Sequence, residues 1–457
     1  MNRINDTITA ISTANGAGGI GVIRISGEQA FFIADRIFRS VSGKTVTEMK
    51  GYTASYGYIY DDDDKIDEVV LTVFRKPHSY TGEDVVEISC HGGLFVTKQV
   101  LRAVIHHGGV PAMAGEFTQR AFLNGKMDLS EAEAVMDIIS AKGKTESRTA
   151  LACREGKISR EIFRINDLLV HCASHLSAWA DYPEDDIPEV DNHVLKENLV
   201  KAKSRIENLL RNYDAGMVIK KGIDTIIVGK PNVGKSTLMN QLTGYEKSIV
   251  TDIPGTTRDI IEETVVLGDI TLNLSDTAGL RDTDNLVEKI GVEKARQKIN
   301  TSSLVLAVFD STQQLDEEDI RLLELIREFP SVAIINKIDG TSRIDMDYIR
   351  ANMKNIVCIS AKNGDGISEL VRIIEKITGT SDFDPSVATL TNERQRNCAV
   401  KALEALNEAI FSVDTGFTLD ATTVSIEDAI QNILEITGER ASEVVVQNVF
   451  KNFCVGK

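Results

Sequence analysis

The stretch "TIIVGKPNVGKSTL" at residues 225–238 constrains the fold of this 457-residue chain more than any other. It consists of an apolar run, Gly229, four residues and then "GKS", with a helix-like pattern after it. Glycines permit a loop whose backbone N–H groups point at phosphate oxygens, and Lys235 adds a cation beside them. The hydroxyl of Ser236 can bind Mg²⁺. The stretch therefore predicts a strand, a phosphate-binding loop and a helix.

Three further motifs follow in order, "DTAG", "NKID" and "SAK", each at the end of an apolar, strand-like run. In "DTAG", Asp276 can hold Mg²⁺ through water, and the Gly279 N–H can meet a γ-phosphate. In "NKID", Asp339 can accept both N–H groups of the Watson–Crick edge of guanine, a donor pair that adenine lacks. "SAK", which begins at Ser360, can support the base. Because open α/β sheets bind ligands at the carboxyl ends of their strands, the ordered motifs predict a Ras-like domain that binds GTP.

The predicted nucleotide-binding set combines these motifs with the loop "SIVTDIPGTTRD", in which Thr257 is the expected switch threonine for Mg²⁺ and the γ-phosphate. The set consists of Asn232, Val233, Gly234, Lys235, Ser236, Thr237, Thr251, Asp252, Ile253, Pro254, Gly255, Thr256, Thr257, Asp276, Thr277, Ala278, Gly279, Asn336, Lys337, Asp339, Ser360, Ala361 and Lys362. We expect Ser236 and Thr257 to be the Mg²⁺ ligands.

The position after "DTAG" is unusual for catalysis. Many GTPases place a glutamine there to orient the attacking water, but this chain has Leu280, which cannot hydrogen-bond to water. An arginine finger would contribute about 10³–10⁵-fold in rate, but no sequence pattern marks any arginine of this chain as one. Another group must therefore position the water.

The sequence predicts a multidomain protein. Residues 1–118 alternate strand-like and helical runs and predict an α+β domain, whereas residues 119–217 and 382–457 have the apolar spacing of amphipathic helices. The α/β alternation at 218–381 lies between the two helical regions. We interpret these as one helical domain split by an inserted domain, with two separate helical bundles as the alternative.

Charge and cysteine content narrow the possible partners and location. The net charge is -17, which disfavours indiscriminate binding to nucleic acids or anionic membranes but leaves open a local basic patch for one RNA. The six cysteines are scattered, as expected for free thiols in a reducing cytoplasm. We expect a cytoplasmic protein without a membrane partner, because no apolar run approaches membrane-spanning length.

The four aspartates at 61–64 lie between two strand-like runs and predict the tip of a hairpin. Adjacent like charges repel each other and do not make a coordination cage, so we expect a solvated turn rather than a cation site.

Several stretches resemble those of the MnmE (TrmE) family of tRNA-modifying GTPases. Within the GTPase domain they are "GKPNVGKSTL", "TDIPGTTRD" and "DTAGLRDTDNLVEKIGVEKA". Outside it they are "RISG", "YTGEDVVEISCHGG", "GEFTQRAFLNGKMDLSEAEA", "EITGE" and the final "FCVGK". The resemblance therefore runs from end to end, although "TANGAGGIG" stands where many relatives have a proline-containing run.

The resemblance implies a GTPase that is stimulated by K⁺ and activated by dimerisation of its G domains. The side-chain oxygen of Asn232 and the backbone carbonyls of Thr251, Ile253 and Thr256 would bind K⁺. Glu288 would orient the catalytic water through a second water. The alternative for Asn232 is a hydrogen bond that stabilises its loop. Without the resemblance, Glu288 would be one more charge on a helix surface.

The resemblance also implies that the N-terminal domain forms a constitutive homodimer and binds a one-carbon folate of the 5-formyltetrahydrofolate type. Arg24, Glu83, Lys126 and Lys457 match the folate-binding positions; from the residues alone, surface salt bridges are the simpler reading. Cys454 is a candidate catalytic group, and the alternative is a small packing residue. Gly456 and Lys457 disfavour prenylation of that cysteine.

The expected partners are tRNA and an FAD-containing protein of the MnmG type, with which the chain would form a heterotetramer. FAD would be bound only by that partner. Together they would convert C5 of the wobble uridine in certain tRNAs to a (carboxymethyl)aminomethyl derivative. The alternatives are a ribosome-assembly GTPase and a regulatory switch that binds GTP and folate without modifying RNA.

Overall fold

The computed structural model describes residues 5–181, 191–244, 262–267, 270–275, 299–300, 302–381, 383–416, 419–451 and 453–457. The chain divides into two compact units, each with its own sheet. The first consists of Met1–Met136, Arg154–Leu199 and Glu404–Lys457, and the second of Asp137–Cys153 and Val200–Leu403. The domain boundaries expected from the sequence stay predictions.

The first unit is built on a seven-stranded sheet. Its strands are β1 (Ile8–Ile11), β2 (Ile20–Ser26), β3 (Phe38–Ser40), β4 (Thr53–Asp61), β5 (Asp64–Phe74), β6 (Val85–His91) and β7 (Val110–Pro111). They lie in the order β3-β4-β5-β6-β2-β1-β7, and all neighbours are antiparallel except β1 and β7. Helices α1 (Ala30–Ile37) and α2 (Leu94–His106) share one apolar core with the sheet.

The predicted acidic hairpin joins β4 to β5. Asp61 pairs with Asp64 across the two strands, which leaves Asp62 and Asp63 in the turn. Asp62 has a φ of 53°, in the left-handed region that aspartate tolerates better than most residues. The hairpin is therefore confirmed, and α2 ends close to its tip.

The next five helices follow the proline-free, amphipathic stretches of the sequence. They are α3 (Glu116–Leu123), α4 (Leu129–Ser140), α5 (Lys144–Arg154), α6 (Lys157–Asp181) and α7 (Asn192–Lys221). The apolar stripe predicted in α7 is confirmed, because Leu195, Leu199, Ala202, Ile206 and Leu209 are all buried.

The second unit is built on a six-stranded sheet. Its strands are β8 (Ile223–Val228), β9 (Glu262–Leu267), β10 (Ile270–Ser275), β11 (Leu304–Asp310), β12 (Ser331–Asn336) and β13 (Ile356–Cys358). The order is β13-β12-β11-β8-β10-β9, and only β9 runs antiparallel to its neighbour. Helices α8 (Lys235–Gly244), α9 (Glu317–Ile326), α10 (Met346–Asn352) and α11 (Ile367–Thr378) follow β8, β11, β12 and β13 in the chain.

Alternate residues of the central strands lie in two separate apolar clusters. In β11, Leu306 and Val308 belong to one cluster, whereas Ala307 and Phe309 belong to the other. A sheet covered on both faces requires nearly continuous apolar strands, as in "LVLAVF" and "SVAII". Because β8 lies between β10 and β11, the strand order reverses there, and a ligand crevice is expected at its carboxyl end.

The chain ends in helices α12 (Glu393–Thr415), α13 (Leu419–Thr437) and α14 (Glu443–Lys451). In the first unit, α13 packs along α6 and α14 packs on α3. Phe450 and Phe453 are buried there in one cluster with Ala121 and Leu129. Gly438, with a φ of 91°, lies directly after α13 at the predicted helix stop.

The predicted fold class is confirmed: an α+β N-terminal region, helical regions and an α/β domain of the P-loop type share one chain. None of the helices in the described part of the chain is both long and apolar enough to span a lipid bilayer.

Candidate functional site

The phosphate-binding loop connects β8 to α8 in the second unit, as the sequence predicts. Asn232 and Gly234 have φ values of 64° and 100°. A Cβ atom on Gly234 would lie 2.3 Å from the Nδ2 atom of Asn336, so only glycine fits there without moving that side chain. The loop is therefore shaped by a contact with "NKID", which lies about 100 residues further along the chain.

Asn336 joins three of the predicted motifs. Its side chain is buried, its Nδ2 donates to the carbonyl of Val233 at 2.8 Å, and its Oδ1 accepts from the N–H of Ala361 at 2.9 Å. The carboxamide thus supplies one donor and one acceptor to two backbone groups that have no partner in a sheet or helix. The phosphate loop, "NKID" and "SAK" are brought together by this one side chain.

Lys337 supports the phosphate loop from the same strand end. Its Nζ donates to the carbonyl of Asn232 at 2.8 Å and forms an ion pair with Asp310 at 2.5 Å. Although burial alone would raise the pKa of Asp310, the hydrogen bonds from Lys337 and Thr312 hold it below its ordinary value. Asp310 is therefore a stable anion at neutral pH, and it fixes the lysine against the loop.

The predicted base-recognition carboxylate is oriented by a buried hydroxyl. Ser360 is fully buried, and its Oγ donates to Oδ1 of the exposed Asp339 at 2.8 Å. Lys362 is exposed on the same loop. A carboxylate held in this way at the surface of the crevice can accept paired N–H donors from a planar base.

Lys235 folds back over the phosphate loop. Its Nζ donates to the carbonyls of Gly229 and Lys230 at 2.6 Å and 2.7 Å, and burial lowers the pKa of this amine. An anion in the loop would favour the charged form again. Ser236 and Thr237 are exposed on the first turn of α8, where their hydroxyls are accessible.

Lys230 forms a clamp that sequence reasoning missed. Its Nζ lies 2.5 Å from a carboxylate oxygen of Asp316 and 2.7 Å from one of Asp319. Asp316 caps the N-terminus of α9, and together with Asp319 it forms a capping box. The spacing "DEED" before an apolar helical run is a signal for that box, but nothing local connects it to the phosphate loop.

The remaining GTPase positions lie outside the described residues. They are the predicted K⁺ carbonyls and switch residues Thr251, Asp252, Ile253, Pro254, Gly255, Thr256 and Thr257, the "DTAG" residues Asp276, Thr277, Ala278 and Gly279, and the catalytic candidate Glu288. Their roles stay predictions.

In the first unit, Arg24 is mostly buried and makes several contacts. It forms an ion pair with Glu87 at 2.7 Å, and its guanidinium carbon lies 5.3 Å and 5.6 Å from the ring centroids of Tyr80 and Phe117. Its Nη1 also lies 3.4 Å from the carbonyl oxygen of Gly456. Arg24 is therefore ion-paired, as the alternative to folate binding expects, but the pair is mostly buried rather than at the surface.

Glu83 and Lys126 have other partners. Glu83 accepts from the Oγ of Ser26 at 2.7 Å and from the Nη1 of the buried Arg120 at 3.2 Å. Lys126 is exposed, and its Nζ donates to the carbonyl of Pro77 at 3.0 Å. The Glu83 carboxylate is therefore oriented and charge-compensated, whereas the Lys126 ammonium is accessible.

The C-terminal tail lies beside strand β1. The carbonyl of Cys454 accepts from the N–H of Gly115 at 3.3 Å, and the carbonyl of Gly456 accepts from the Oγ of Ser12 at 3.1 Å. The Cys454 residue is exposed and Lys457 is half-buried. The structure thus brings the tail to Arg24 through Gly456.

Asp316, one of the two carboxylates that hold Lys230, can be tested by substitution. We expect Asp316→Ala to lower the free energy of unfolding by about 1–2 kcal/mol, because it removes the N-cap acceptor of α9. The ion pair itself contributes little, since the Asp316 side chain is 57% exposed. Urea unfolding of both proteins at neutral pH measures the difference.

The difference in stability between wild type and Asp316→Ala depends on pH. The hydrogen bond from Lys230 lowers the pKa of Asp316, so the stabilisation is complete above the ordinary aspartate pKa of about 3.9 and disappears as the pH falls through the lowered value. The control is Glu317→Ala, which removes an exposed pair with Arg321 and one acidic group of the first turn but no cap, and should change stability by less than about 1 kcal/mol. Equal costs for the two substitutions would contradict the capping role.

Comparison with known proteins identifies the family of this chain. Residues 129–454 match the model of the MnmE helical domain, and residues 7–126 match that of the GTP-binding protein TrmE N-terminus. The tRNA modification GTPase MnmE of Acetivibrio thermocellus is 43% identical over 99% of both chains. The protein of the same name from Clostridioides difficile is 41% identical over 99% of this chain and 100% of its own.

Among solved structures, the G domain of the T. maritima FeoB iron transporter matches at 28% identity with a TM-score of 0.26, over 34% of this chain and 98% of its own. The matches to the two family models and to the full-length relatives carry the assignment. The chain belongs to the MnmE family of tRNA modification GTPases.

Proposed function

We propose that this chain is a GTP hydrolase, stimulated by K⁺ and activated by dimerisation of its G domains, that acts in tRNA modification. With an FAD-containing partner of the MnmG type, it modifies C5 of the wobble uridine in certain tRNAs to a (carboxymethyl)aminomethyl group. The observation that carries the GTPase function is the contact of Asn336 with both Val233 and Ala361, which assembles the phosphate and base loops at one sheet edge.

Guanine recognition rests on Asp339. The Ser360 hydroxyl holds one oxygen of this carboxylate, so its orientation is set before a base binds. Guanine offers two N–H donors to it, whereas adenine would leave the carboxylate unpaired. This difference favours GTP over ATP.

The chain's own residues fit the predicted ions. The exposed hydroxyl of Ser236 is a hard oxygen ligand of the kind that Mg²⁺ prefers, and Mg²⁺ would neutralise charge on the phosphates. The backbone of Asn232 is held by Lys337 while the residue itself is exposed, so its carboxamide can offer an oxygen to K⁺. We assign the remaining K⁺ ligands to the carbonyls of Thr251, Ile253 and Thr256.

The proposed folate site uses the residues around Arg24. The Glu83 carboxylate, oriented by Ser26 and Arg120, can accept the N–H donors of a pterin, and the accessible Lys126 can pair with folate carboxylates. The tail contact at Gly456 supports a contribution from the neighbouring Lys457. The exposed thiol of Cys454 is available as a nucleophile or an acid–base group.

The proposed assembly is a homodimer that joins the FAD-containing partner in a heterotetramer and acts on tRNA. The proposed location is the cytoplasm. All six cysteines are free thiols, which supports a reducing compartment.

Steady-state GTP turnover in KCl and in NaCl tests the catalytic proposal. We expect faster turnover in KCl, and we expect Glu288→Ala to lower kcat by about 10²–10⁴-fold because the water loses its orienting group. Glu293→Ala, which changes a glutamate five positions away, is the matched control. Turnover that ignores the cation and survives Glu288→Ala would contradict the mechanism.

Reconstitution tests the modification itself. The chain, its flavoprotein partner, GTP, the folate and tRNA are combined, and mass spectrometry of the digested nucleosides detects modified uridine. We expect Cys454→Ser to keep GTP turnover and lose the modification, whereas Cys358→Ser, at the other exposed cysteine, keeps both. GTP turnover without modification in the wild type would favour a regulatory switch, and selective association with ribosomal subunits would favour ribosome assembly.

A further inference from the structure

Two aspartates and two histidines meet at the tip of the β4–β5 hairpin in the first unit. Asp61 and Asp62 come from the hairpin, His106 is the last residue of α2, and His107 is its C-cap. One ligand atom from each residue lies within 4.8 Å of the corresponding atom of every other. Among the described residues, this is the group of histidine, cysteine and carboxylate side chains whose geometry suits a metal ion.

The position of His107 is the observation that needs an explanation. Its side chain is only 16% exposed, and its Nε2 atom is buried without a hydrogen-bond partner among the described residues. A buried ring nitrogen in that state destabilises the fold, and such atoms in native structures are often satisfied by an ion or water. Two carboxylate oxygens, one from Asp61 and one from Asp62, lie within 4 Å of the atom.

The distances around His107 suit shared coordination better than direct hydrogen bonds. Nε2 lies 3.6 Å from an oxygen of Asp61 and 3.9 Å from one of Asp62, both too long for a hydrogen bond. Two ligands on one tetrahedral ion, with bonds of about 2.0–2.1 Å, are separated by about 3.3 Å. His106 Nδ1 lies 2.8 Å from the same Asp61 oxygen, so modest side-chain movements would place all four ligands around one ion.

The local charges also favour a cation. Asp61 and Asp62 are followed by two further aspartates in the same turn, and a bound cation would relieve their repulsion. Two arginines lie nearby, but both donate to backbone carbonyls: Arg39 to Asp62 at 3.4 Å and Arg36 to His107 at 3.5 Å. These contacts of the two arginines therefore leave the carboxylates of Asp61 and Asp62 available to the histidines.

We propose that Asp61, Asp62, His106 and His107 bind one divalent transition-metal ion, for which Zn²⁺ is the best representative. Imidazole nitrogens combined with carboxylates suit Zn²⁺ and its neighbours in the series, whereas Mg²⁺ and Ca²⁺ prefer sites made of oxygen alone. The ion links the hairpin tip to the end of α2. The acidic turn, expected to be only solvated, thereby becomes half of a binding site.

The same sheet offers a matched control. His91 and Asp67 form a histidine–aspartate pair at 2.8 Å, and the His91 side chain is 64% exposed against 59% for His106. This pair has the same chemistry and similar exposure, but it does not belong to a group with metal-site geometry among the described residues. A general attraction of Zn²⁺ to exposed histidines would affect both places equally.

The test is Zn²⁺ binding to the full chain. Wild type, His107→Gln, Asp61→Asn and His91→Gln are freed of metal with a chelator and titrated with ZnCl₂ by calorimetry, with bound zinc counted by mass spectrometry. We expect His107→Gln and Asp61→Asn to bind one equivalent less, or to bind it at least about 100-fold more weakly, than wild type and His91→Gln. Excess Mg²⁺ or Ca²⁺ should not displace this equivalent.

A second measurement guards against misfolding. Since an ion that binds only the folded state stabilises it, Zn²⁺ should raise the Tm of wild type and of His91→Gln but not of His107→Gln. Equal GTP affinity in all four proteins shows that the substitutions leave the other unit intact. The proposal is overturned if wild type binds no such equivalent, if His107→Gln keeps it unchanged, or if His91→Gln loses it as well.

Discussion

The proposed nucleotide-binding edge of this protein depends on the two hydrogen bonds of one buried carboxamide. Asn336 links the phosphate loop at Val233 to the base loop at Ala361, and it does so from the end of the strand that carries "NKID". Both backbone groups would lack a partner if the side chain were removed, which makes the interaction costly to break. The glycine at position 234 is required because any larger residue would displace the carboxamide.

Two ion pairs reinforce this arrangement at two points of the phosphate loop, Lys230 and Asn232. Lys230, near its beginning, is held by the capping box of α9, and the carbonyl of Asn232 is held by Lys337 and its partner Asp310. The loop is therefore supported by side chains from the N-terminus of α9 and from the ends of β11 and β12. Such preorganisation lowers the entropy lost when a nucleotide binds and leaves more of the contact energy for affinity.

The parts of this structure that sequence reasoning predicted correctly are those determined by local pattern. Alternating or continuous apolar runs identified the strands, helical spacing identified α7, and the spacing of glycines and lysine identified the phosphate loop. These features depend on neighbouring residues, and so the information is local.

Contacts between distant residues could not be predicted in the same way. Arg24 and Glu87 are 63 positions apart, and no local pattern in either segment identifies the other as its ion-pair partner. The acidic turn is a clear case, because its aspartates alone predict repulsion, whereas the fold brings the histidines at the end of α2 to them. Such contacts depend on the order of the strands, which is a property of the whole sheet.

The most direct test of this account is the affinity of Asn336→Ala for GDP and GTP. The control is Asn355→Ala, whose carboxamide donates to Ser331 at the opposite end of the same strand. Two lost hydrogen bonds at about 1–3 kcal/mol each predict a rise in Kd of at least about 30-fold for Asn336→Ala, with the control unchanged. Nucleotide binding by Asn336→Ala with the affinity of the control would contradict the claim that this side chain holds the site together.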